Sequence, residues 1–515
     1  MEGYCSSIPS QLTSARGYHA RVSYEFDNSD RKGFQRRASS IDSHTEEEKG
    51  QIFSSGSRDE ETSPTNDSKD MSRWHDDDLE TYRVNLQLAA LAESCASRRN
   101  VTAAKVALKL LHTMERPDSV AYNSVLKALA KISPSVLTSS GKTASDAAES
   151  LLRQMKDLHK RQVAANEAWY ERLSEGTLSN EELEAGPPRV RVKPNVRSIS
   201  TVMDALGRTG DLTAARRAEE LLYALQQEYE ATNDGALQPN LISYNTLLSA
   251  YANCGEARQC LQIIRDMPMD PDIISHNAVL HALARTQDDP GKAGQRAEAY
   301  LRQINKVRPN ARSYSTCMDA WSQSGQPERA HRLLQEMMEA YHSSGRDPAL
   351  RPNAITYSTV IHGYAVSKDS NKAMLAYQVW QDMQKEGVTP NQVTLNNVLN
   401  ACATTRPPTP IVRRMVQSLY KHSLRHGQPD EVTFGIILKS CENWMDESTL
   451  SPIDVFTEAC RRGAVSPGVL HHLRQAVSIE TFRNLVGEHS NWDELPEKWR
   501  SSVRHRAPRI PRRSR

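Results

Sequence analysis

A single recurring pattern constrains the fold of this chain more than any other feature. The stretches VAYNSVLKALA (120–130), VRSISTVMDALG (196–207), LISYNTLLSAYA (241–252), IISHNAVLHALA (273–284), ARSYSTCMDAW (311–321), AITYSTVIHGYA (354–365), QVTLNNVLNACA (392–403) and EVTFGIILKSC (431–441) share one register. Each unit is numbered so that place four is Tyr122, Ile199, Tyr244, His276, Tyr314, Tyr357, Leu395 and Phe434. Place eight is then aliphatic throughout: Leu126, Met203, Leu248, Leu280, Met318, Ile361, Leu399 and Leu438. Place ten is small: Ala128, Ala205, Ala250, Ala282, Ala320, Gly363, Ala401 and Ser440. Apolar residues at places four, seven and eight mark one helical face. A small tenth residue lets a neighbouring helix come close. A second helix follows in ARQCLQIIRDM (257–267), ERAHRLLQEMMEAY (328–341) and KAMLAYQVWQDMQKEG (372–387), after turns at Gly210, Gly255 and Gly325. Each second helix runs into Pro plus Asp or Asn, as in Pro194-Asn195, Pro271-Asp272 and Pro429-Asp430, which stops the helix and turns the chain. Neither helix of such a pair can bury its apolar face alone, so the pairs must stack. The sequence predicts an all-α solenoid of eight or nine helix pairs. The first interval is about twice the others, so an insertion or a worn unit lies within 133–195.

Composition agrees with a stacked ridge and argues against one dry core. Only 6 Phe occur and 38% of residues are hydrophobic. No apolar run is long enough to span a bilayer, so no membrane is expected. The 8 cysteines lie scattered, with no Cys-x-x-Cys pair, which fits a reducing compartment and argues against zinc ribbons and disulfide frameworks. Net charge is +2, so bulk charge drives no nucleic-acid binding and any footprint must come from local Lys and Arg. Residues 1–79 read as a disordered acidic tail. Its Ser-rich start, with Arg16 and Arg21, suits either a transit peptide or a plain disordered beginning.

The Tyr-Asn-Thr-Leu helix start at 244–247, the Gly turns, the late Met267, Met337 and Met383, and the Pro-Asp/Asn endings resemble the pentatricopeptide repeat (PPR) family. The tetratricopeptide repeat is excluded by its missing Trp-x-x-Leu-Gly mark and its period. The resemblance covers about 119–468, with a weaker unit at 80–118. It implies a P-type array over 80–468, wound as a right-handed superhelical solenoid, then a capping segment and basic tail over 469–515.

By that resemblance the array binds single-stranded RNA, one nucleotide per unit, with place five and the final residue of each unit reading a base edge. The implied pairs are Asn123/Asn195, Ser200/Asn240, Asn245/Asp272, Asn277/Asn310, Ser315/Asn353, Ser358/Asn391 and Asn396/Asp430. The family code assigns U to Asn with Asp, a pyrimidine to Asn with Asn, and A to Ser with Asn. The implied target is 5′-Y-A-U-Y-A-A-U-3′. Place two packs on the base: Val120, Ile242, Ile274, Ile355 and Val393, with Arg197 and Arg312 departing from the aliphatic pattern. Place thirteen supplies phosphate contacts at Lys131, Arg208 and Arg285. The alternative for the polar pairs is local: Asn and Ser cap helices, and Asx closes turns. Gly435 stands where a reading side chain belongs, so the unit from Glu431 is expected to cap the array.

No enzyme is expected. His44-Thr45-Glu46 has the deaminase-like His-x-Glu order but no Cys pair, and the residues after 468 hold a single Asp, Asp493. His471, His472 and His489 lack a metal-type partner set, so no cofactor is implied. The expected role is sequence-selective RNA binding in organellar RNA metabolism, acting in transcript stabilisation, processing or translation and recruiting protein factors, with no small-molecule substrate. The compartment is read as the mitochondrion, with plastid and cytoplasm open. The competing role is a protein–protein scaffold, and the C-terminal basic run is either a solubilising tail or a phosphate anchor.

Overall fold

A computed structural model describes residues 76–503, apart from 99, 134–142, 287–288, 427–428, 445–449 and 488–491. The acidic segment before 76, with the transit-peptide reading and His44-Thr45-Glu46, lies outside the described residues, as do His489 and the basic run beyond 503. The described residues belong to one compact unit.

Nine helix pairs follow one another among them: α1 (Asp76–Arg98) and α2 (Val101–Thr113), α3 (Ser119–Lys131) and α4 (Ala144–Glu175), then, after the short α5 (Asn180–Ala185), α6 (Val196–Gly207) and α7 (Leu212–Thr232). Next come α8 (Leu241–Cys254) and α9 (Ala257–Asp266), α10 (Ile273–Arg285) and α11 (Ala293–Gln303), α12 (Ala311–Gln323) and α13 (Pro327–Ser343). The last pairs are α14 (Ala354–Val366) and α15 (Lys372–Lys385), α16 (Gln392–Ala403) and α17 (Pro410–His426), α18 (Glu431–Trp444) and α19 (Pro452–Arg461). After them stand α20 (Pro467–Ala476), α21 (Ile479–Val486) and α22 (Glu497–Arg500). The first helices α1, α3, α6, α8, α10, α12, α14, α16, α18 and α20 pack side by side in one row. The second helices form the other layer, each bridging its own first helix and the next. This is the all-α solenoid of helix-turn-helix repeats that the period demanded.

One unit shows why the sequence folds this way. The Asn240 side chain accepts the Ser243 N–H at 3.1 Å and starts α8. Tyr244, Leu247, Leu248 and Tyr251 then fall on its buried face. Gly255 ends it with φ +81°, and a Cβ there would lie 2.9 Å from the Arg285 carbonyl oxygen. At place ten the small residue is a steric necessity: a Cβ on Gly363 would stand 2.5 Å from Ser322 Oγ.

Among the described residues the long first interval shows no second helix pair. It is filled by α4, whose first half packs through Ala148, Leu151, Leu152 and Met155. Its second half runs on as an arm bound by the return strand: Gln162 Oε1 accepts from Arg191 N and Val192 N at 3.0 and 2.9 Å, and His159 Nδ1 lies 2.7 Å from the Val192 carbonyl. Of the longer stretches 226–238 and 342–351, the first is mostly helix and the second is mostly turn beyond the last residues of α13. They lengthen α7 and α13 and end in single 3-10 turns pinned by buried Leu237 and Leu350.

The unit from Glu431 is not the outermost hairpin. Helix α20 stacks on α18 through Val469, Leu470 and Leu473, so the boundary drawn at 468 falls one residue inside that helix. Further on, Trp499 packs edge-on against Phe456, its carbonyl accepts from Val465 N at 2.9 Å, and Ser502 N donates to Gly463 O at 2.9 Å. Residues 497–503 are therefore part of the fold rather than a free extension.

Candidate nucleic-acid interface

Seven consecutive junctions between first helices, from α3–α6 to α16–α18, carry the same polar knot. The final Asx of a unit is the N-cap of the next first helix, with its Oδ1 accepting the backbone N–H at place three: Asn195, Asn240, Asp272, Asn310, Asn353, Asn391 and Asp430 all do so. Place three is a hydroxyl at each of these, namely Ser198, Ser243, Ser275, Ser313, Thr356, Thr394 and Thr433. That hydroxyl reaches back to place five of the preceding unit. Ser275 Oγ donates to Asn245 Oδ1 at 2.5 Å, Ser313 Oγ to Asn277 Oδ1 at 2.7 Å, Thr433 Oγ1 to Asn396 Oδ1 at 2.9 Å, and Ser198 Oγ to Asn123 Oδ1 at 2.7 Å. The serines at place five make the matching contact: Ser200 with Ser243 at 3.2 Å, Ser315 with Thr356 at 3.2 Å, Ser358 with Thr394 at 2.6 Å. Place five and cap also touch directly, with Asn245 Nδ2 donating to Asp272 Oδ1 and Asn396 Nδ2 to Asp430 Oδ1, both at 3.1 Å.

All seven implied pairs are thus brought together in register, along one row. The place-five side chains are not openly exposed: Ser200, Asn245, Asn277, Ser358 and Asn396 are 7–9% accessible. Capping and pairing are the same arrangement here: the Asx that caps each first helix is the residue brought to place five of the preceding unit. The place-three hydroxyls were missed as members of the site, although the unbroken Ser/Thr at that place was visible in the sequence.

Place two carries an uncovered apolar side chain in five of these seven units. Val120, Ile242, Ile274, Ile355 and Val393 are 55–68% exposed, and Arg197 and Arg312 are exposed at the same place. Places two, six, nine and thirteen share one helical face. From α8 to α14 they line a cleft of about 970 Å³ that includes Asn253, His281, Arg285, Arg312, Thr316, Asp319, Gln323, Ile355 and Thr359. Its charge is mixed. Burial, reinforced by Arg285 and Arg312, lowers the His281 pKa, while burial raises that of the Asp319 carboxyl against the opposing pull of Gln323, His362 and Arg285.

Of the three cations at place thirteen, Arg285 lines the cleft, Arg208 is held by Asp204 on its own helix at 3.2 Å, and Lys131 ends α3. Asn253 and Asn443 at that place tie the repeats instead, donating to the Gly207 and Ala403 carbonyls.

Elsewhere, among the described residues, no three His, Cys, Asp or Glu side chains gather into a metal-holding group. His472 Nδ1 lies 2.8 Å from Glu442 Oε2, with the His471 ring edge-on beside it. Burial pushes the Cys260 and Cys402 thiols up to about 12, far from a reactive thiolate. Among the described residues no helix is long and apolar enough to cross a membrane.

The architecture defines a tandem helical-hairpin repeat protein with a polar ladder along its row of first helices. The chain carries pentatricopeptide repeats: the PPR repeat family model matches 352–404, the pentatricopeptide repeat domain 229–286 and the PPR repeat 312–341. Among its relatives is an Arabidopsis thaliana pentatricopeptide repeat-containing protein, 25% identical over 48% of this chain and 38% of that protein. A second from the same plant, named as chloroplastic, is 26% identical over 33% of this chain and 21% of its own length. The chain spans well under half of each of these. Among solved structures the maize PPR10 protein is 22% identical, covering 79% of this chain and 54% of that one with a TM-score of 0.37.

Proposed function

We propose that the chain binds single-stranded RNA along its row of first helices, with one nucleotide at each repeat junction. The observation that carries this is the exposed ladder of Val120, Ile242, Ile274, Ile355 and Val393. Large apolar side chains left in water at one fixed place are in deficit of a partner, and the flat face of a base supplies one. Beside each stands a polar pair whose reach fits a base edge. In this reading Asn123/Asn195, Ser200/Asn240, Asn245/Asp272, Asn277/Asn310, Ser315/Asn353, Ser358/Asn391 and Asn396/Asp430 read bases. Arg197 and Arg312 stack their guanidinium planes on bases, and Lys131, Arg208 and Arg285 meet phosphates. The target follows as 5′-Y-A-U-Y-A-A-U-3′.

The biological setting that accords with the family and with a relative named as chloroplastic is organellar RNA metabolism, in the mitochondrion or a plastid. Binding there protects a transcript, holds it single-stranded for processing or translation, or recruits a further protein. Asn245→Ala and Asn396→Ala are expected to weaken binding to 5′-CAUCAAU-3′. Unchanged affinity, or selection of G-rich RNA from a random pool by the purified protein, overturns the reading in favour of a protein scaffold.

A further inference from the structure

The reading pairs are explained by two residues per nucleotide, yet the structure puts a third in every knot. We propose that the place-three hydroxyl is a specificity-determining positioning residue: Ser275 fixes which edge of the Asn245 amide faces a bound base, and its counterparts do so at the other junctions. The proposal rests on the RNA-binding reading above.

Counting donors and acceptors decides the orientation. Ser275 Oγ has one proton, and its lone pair accepts the Asp272 N–H at 3.3 Å. Two oxygens lie within reach of that proton: Asn245 Oδ1 at 2.5 Å and Asp272 Oδ1 at 2.9 Å. Asp272 Oδ1 already accepts Ser275 N at 2.8 Å and Asn245 Nδ2 at 3.1 Å, so the hydroxyl proton belongs to Asn245 Oδ1. The amide is thereby pinned at both ends. One Nδ2 hydrogen is spent on Asp272, and the other is left for the groove beside Asp272 Oδ2. The outward set is one donor and one acceptor, which matches the O4 and N3–H of uracil.

At the next junction the same scaffold presents different chemistry. Ser313 Oγ holds Asn277 Oδ1 at 2.7 Å, while Asn310 Oδ1 is committed to Ser313 N at 3.1 Å. What remains outward is an Nδ2 from each asparagine, two donors, matching the N3 and O2 acceptors of cytosine. Where the reader is Ser358, Thr394 Oγ1 lies 2.6 Å from it and 2.9 Å from Asn391 Oδ1. A proton relayed inward along that line leaves the Ser358 oxygen as an acceptor beside the Asn391 donor, the complement of adenine N6–H and N1. In each case the hydroxyl turns a freely rotatable amide or alcohol into a defined letter. Without it Asn245 Oδ1 and the Asp272 N–H both lose a partner, and the amide is free to turn toward that N–H.

The test compares the wild-type chain with Ser275→Ala, Ser275→Thr and Asn245→Ala, binding 5′-CAUCAAU-3′ and 5′-CACCAAU-3′, which differ only at the nucleotide assigned to this junction. The wild type is expected to favour U over C by roughly five- to a hundred-fold, the discrimination of a good two-point base contact. Ser275→Ala is expected to bring the ratio near unity and Ser275→Thr to keep it, since threonine serves this role at Thr356, Thr394 and Thr433. A merely structural serine would lower the melting temperature and weaken both RNAs alike, leaving the ratio unmoved. If Ser275→Ala keeps the wild-type ratio while Asn245→Ala loses it, this proposal falls and the RNA-binding reading stands. If the wild type itself does not distinguish the two RNAs, both fall.

Discussion

Ser275 Oγ and Asn245 Oδ1 lie 2.5 Å apart, joining place three of one repeat to place five of the one before it. The contact is largely buried on both sides, so the residues proposed to read a base also hold successive first helices in register. In the proposed reading, recognition and stacking are coupled through the same atoms. Removing one member of a knot strands the groups that it held.

That coupling is measurable without RNA. In a double-mutant cycle on Ser275→Ala and Asn245→Ala, the interaction energy from denaturant unfolding is expected at about 1 kcal/mol, within the range of residues sharing one hydrogen-bond network. Ser275→Ala with Asn396→Ala spans separate junctions and should add to within about 0.5 kcal/mol. Additivity in both cycles would show that the knots contribute nothing to stacking.

The exposed ladder makes the opposite separation. Ile355 is 68% exposed, so Ile355→Gly loses little packing, although glycine inside a helix costs about 1 kcal/mol, and Ile355→Ala avoids that cost. Ile355→Ala should leave the melting temperature within about 2 °C of wild type, because surface changes of this kind stay within about 0.5 kcal/mol. RNA affinity should fall several-fold for every RNA tested, since the side chain covers a base face without reading its edge. Titration of the variant against 5′-CAUCAAU-3′ and a scrambled RNA checks both points.

The helix rows were readable from sequence because apolar spacing at places four, seven and eight reports directly on the buried face. Tyr244, Leu247 and Leu248 show how little else is needed. The pairing of Asn245 with Asp272 was implied only through family resemblance, since residues 27 apart in the chain meet through stacking that no local pattern encodes. The role of Ser275 was hidden for a different reason: a serine at N3 is adequately explained by capping, and its second contact exists only across a junction. The arm of α4 was unreadable because its far half buries nothing in the core. There the sequence keeps helix propensity without the stripe that marks a repeat.

Place ten allows a direct steric test. A Cβ on Gly363 would fall 2.5 Å from Ser322 Oγ and 3.2 Å from Pro327 Cβ, so α14 would have to move off α12 and the start of α13. Gly363→Ala gains helix propensity of about 1 kcal/mol, yet overpacking typically costs about 1–3 kcal/mol. Net destabilisation is expected, read as a lower midpoint in urea. Combining it with Ser322→Gly should recover much of the loss, because the obstructing hydroxymethyl group is then gone.

His281 gives the cleft a pH signature. Its folded pKa lies below the ordinary 6.5, lowered by burial and by Arg285 and Arg312, so in the free protein it is neutral at pH 7. A group depressed in this way contributes stability above pH 6.5 that is lost as pH falls toward and below the folded value. A phosphate entering the cleft would reverse the balance, favouring the charged imidazole and drawing a proton in. RNA affinity is therefore expected to rise as pH drops from about 7.5 to about 5.5, while the free protein loses stability over the acid part of that range. Asp319, raised by burial, adds in the same direction as it protonates at lower pH. His281→Asn should flatten the upper part of the affinity profile, and a flat wild-type profile would place phosphate away from this cleft.

The basic run after Val503 can be tested as a phosphate anchor only if the cut respects the fold. Truncation after Glu497 removes Trp499, which packs on Phe456, and Ser502, which donates to Gly463 O, so a failure to bind RNA there would report unfolding of the α19–α20 end as readily as missing charge. Removing 504–515 instead deletes six arginines and leaves those contacts in place. This shorter chain should melt at the wild-type temperature and bind every RNA more weakly by a similar factor. Its salt dependence should be shallower by about 0.7 log units per log unit of salt for each phosphate that the arginines would have neutralised. Trp499→Ala provides the counterpart: it should lower stability without changing that slope. A truncated chain with both wild-type affinity and wild-type slope would mean that the arginines do not touch the bound strand.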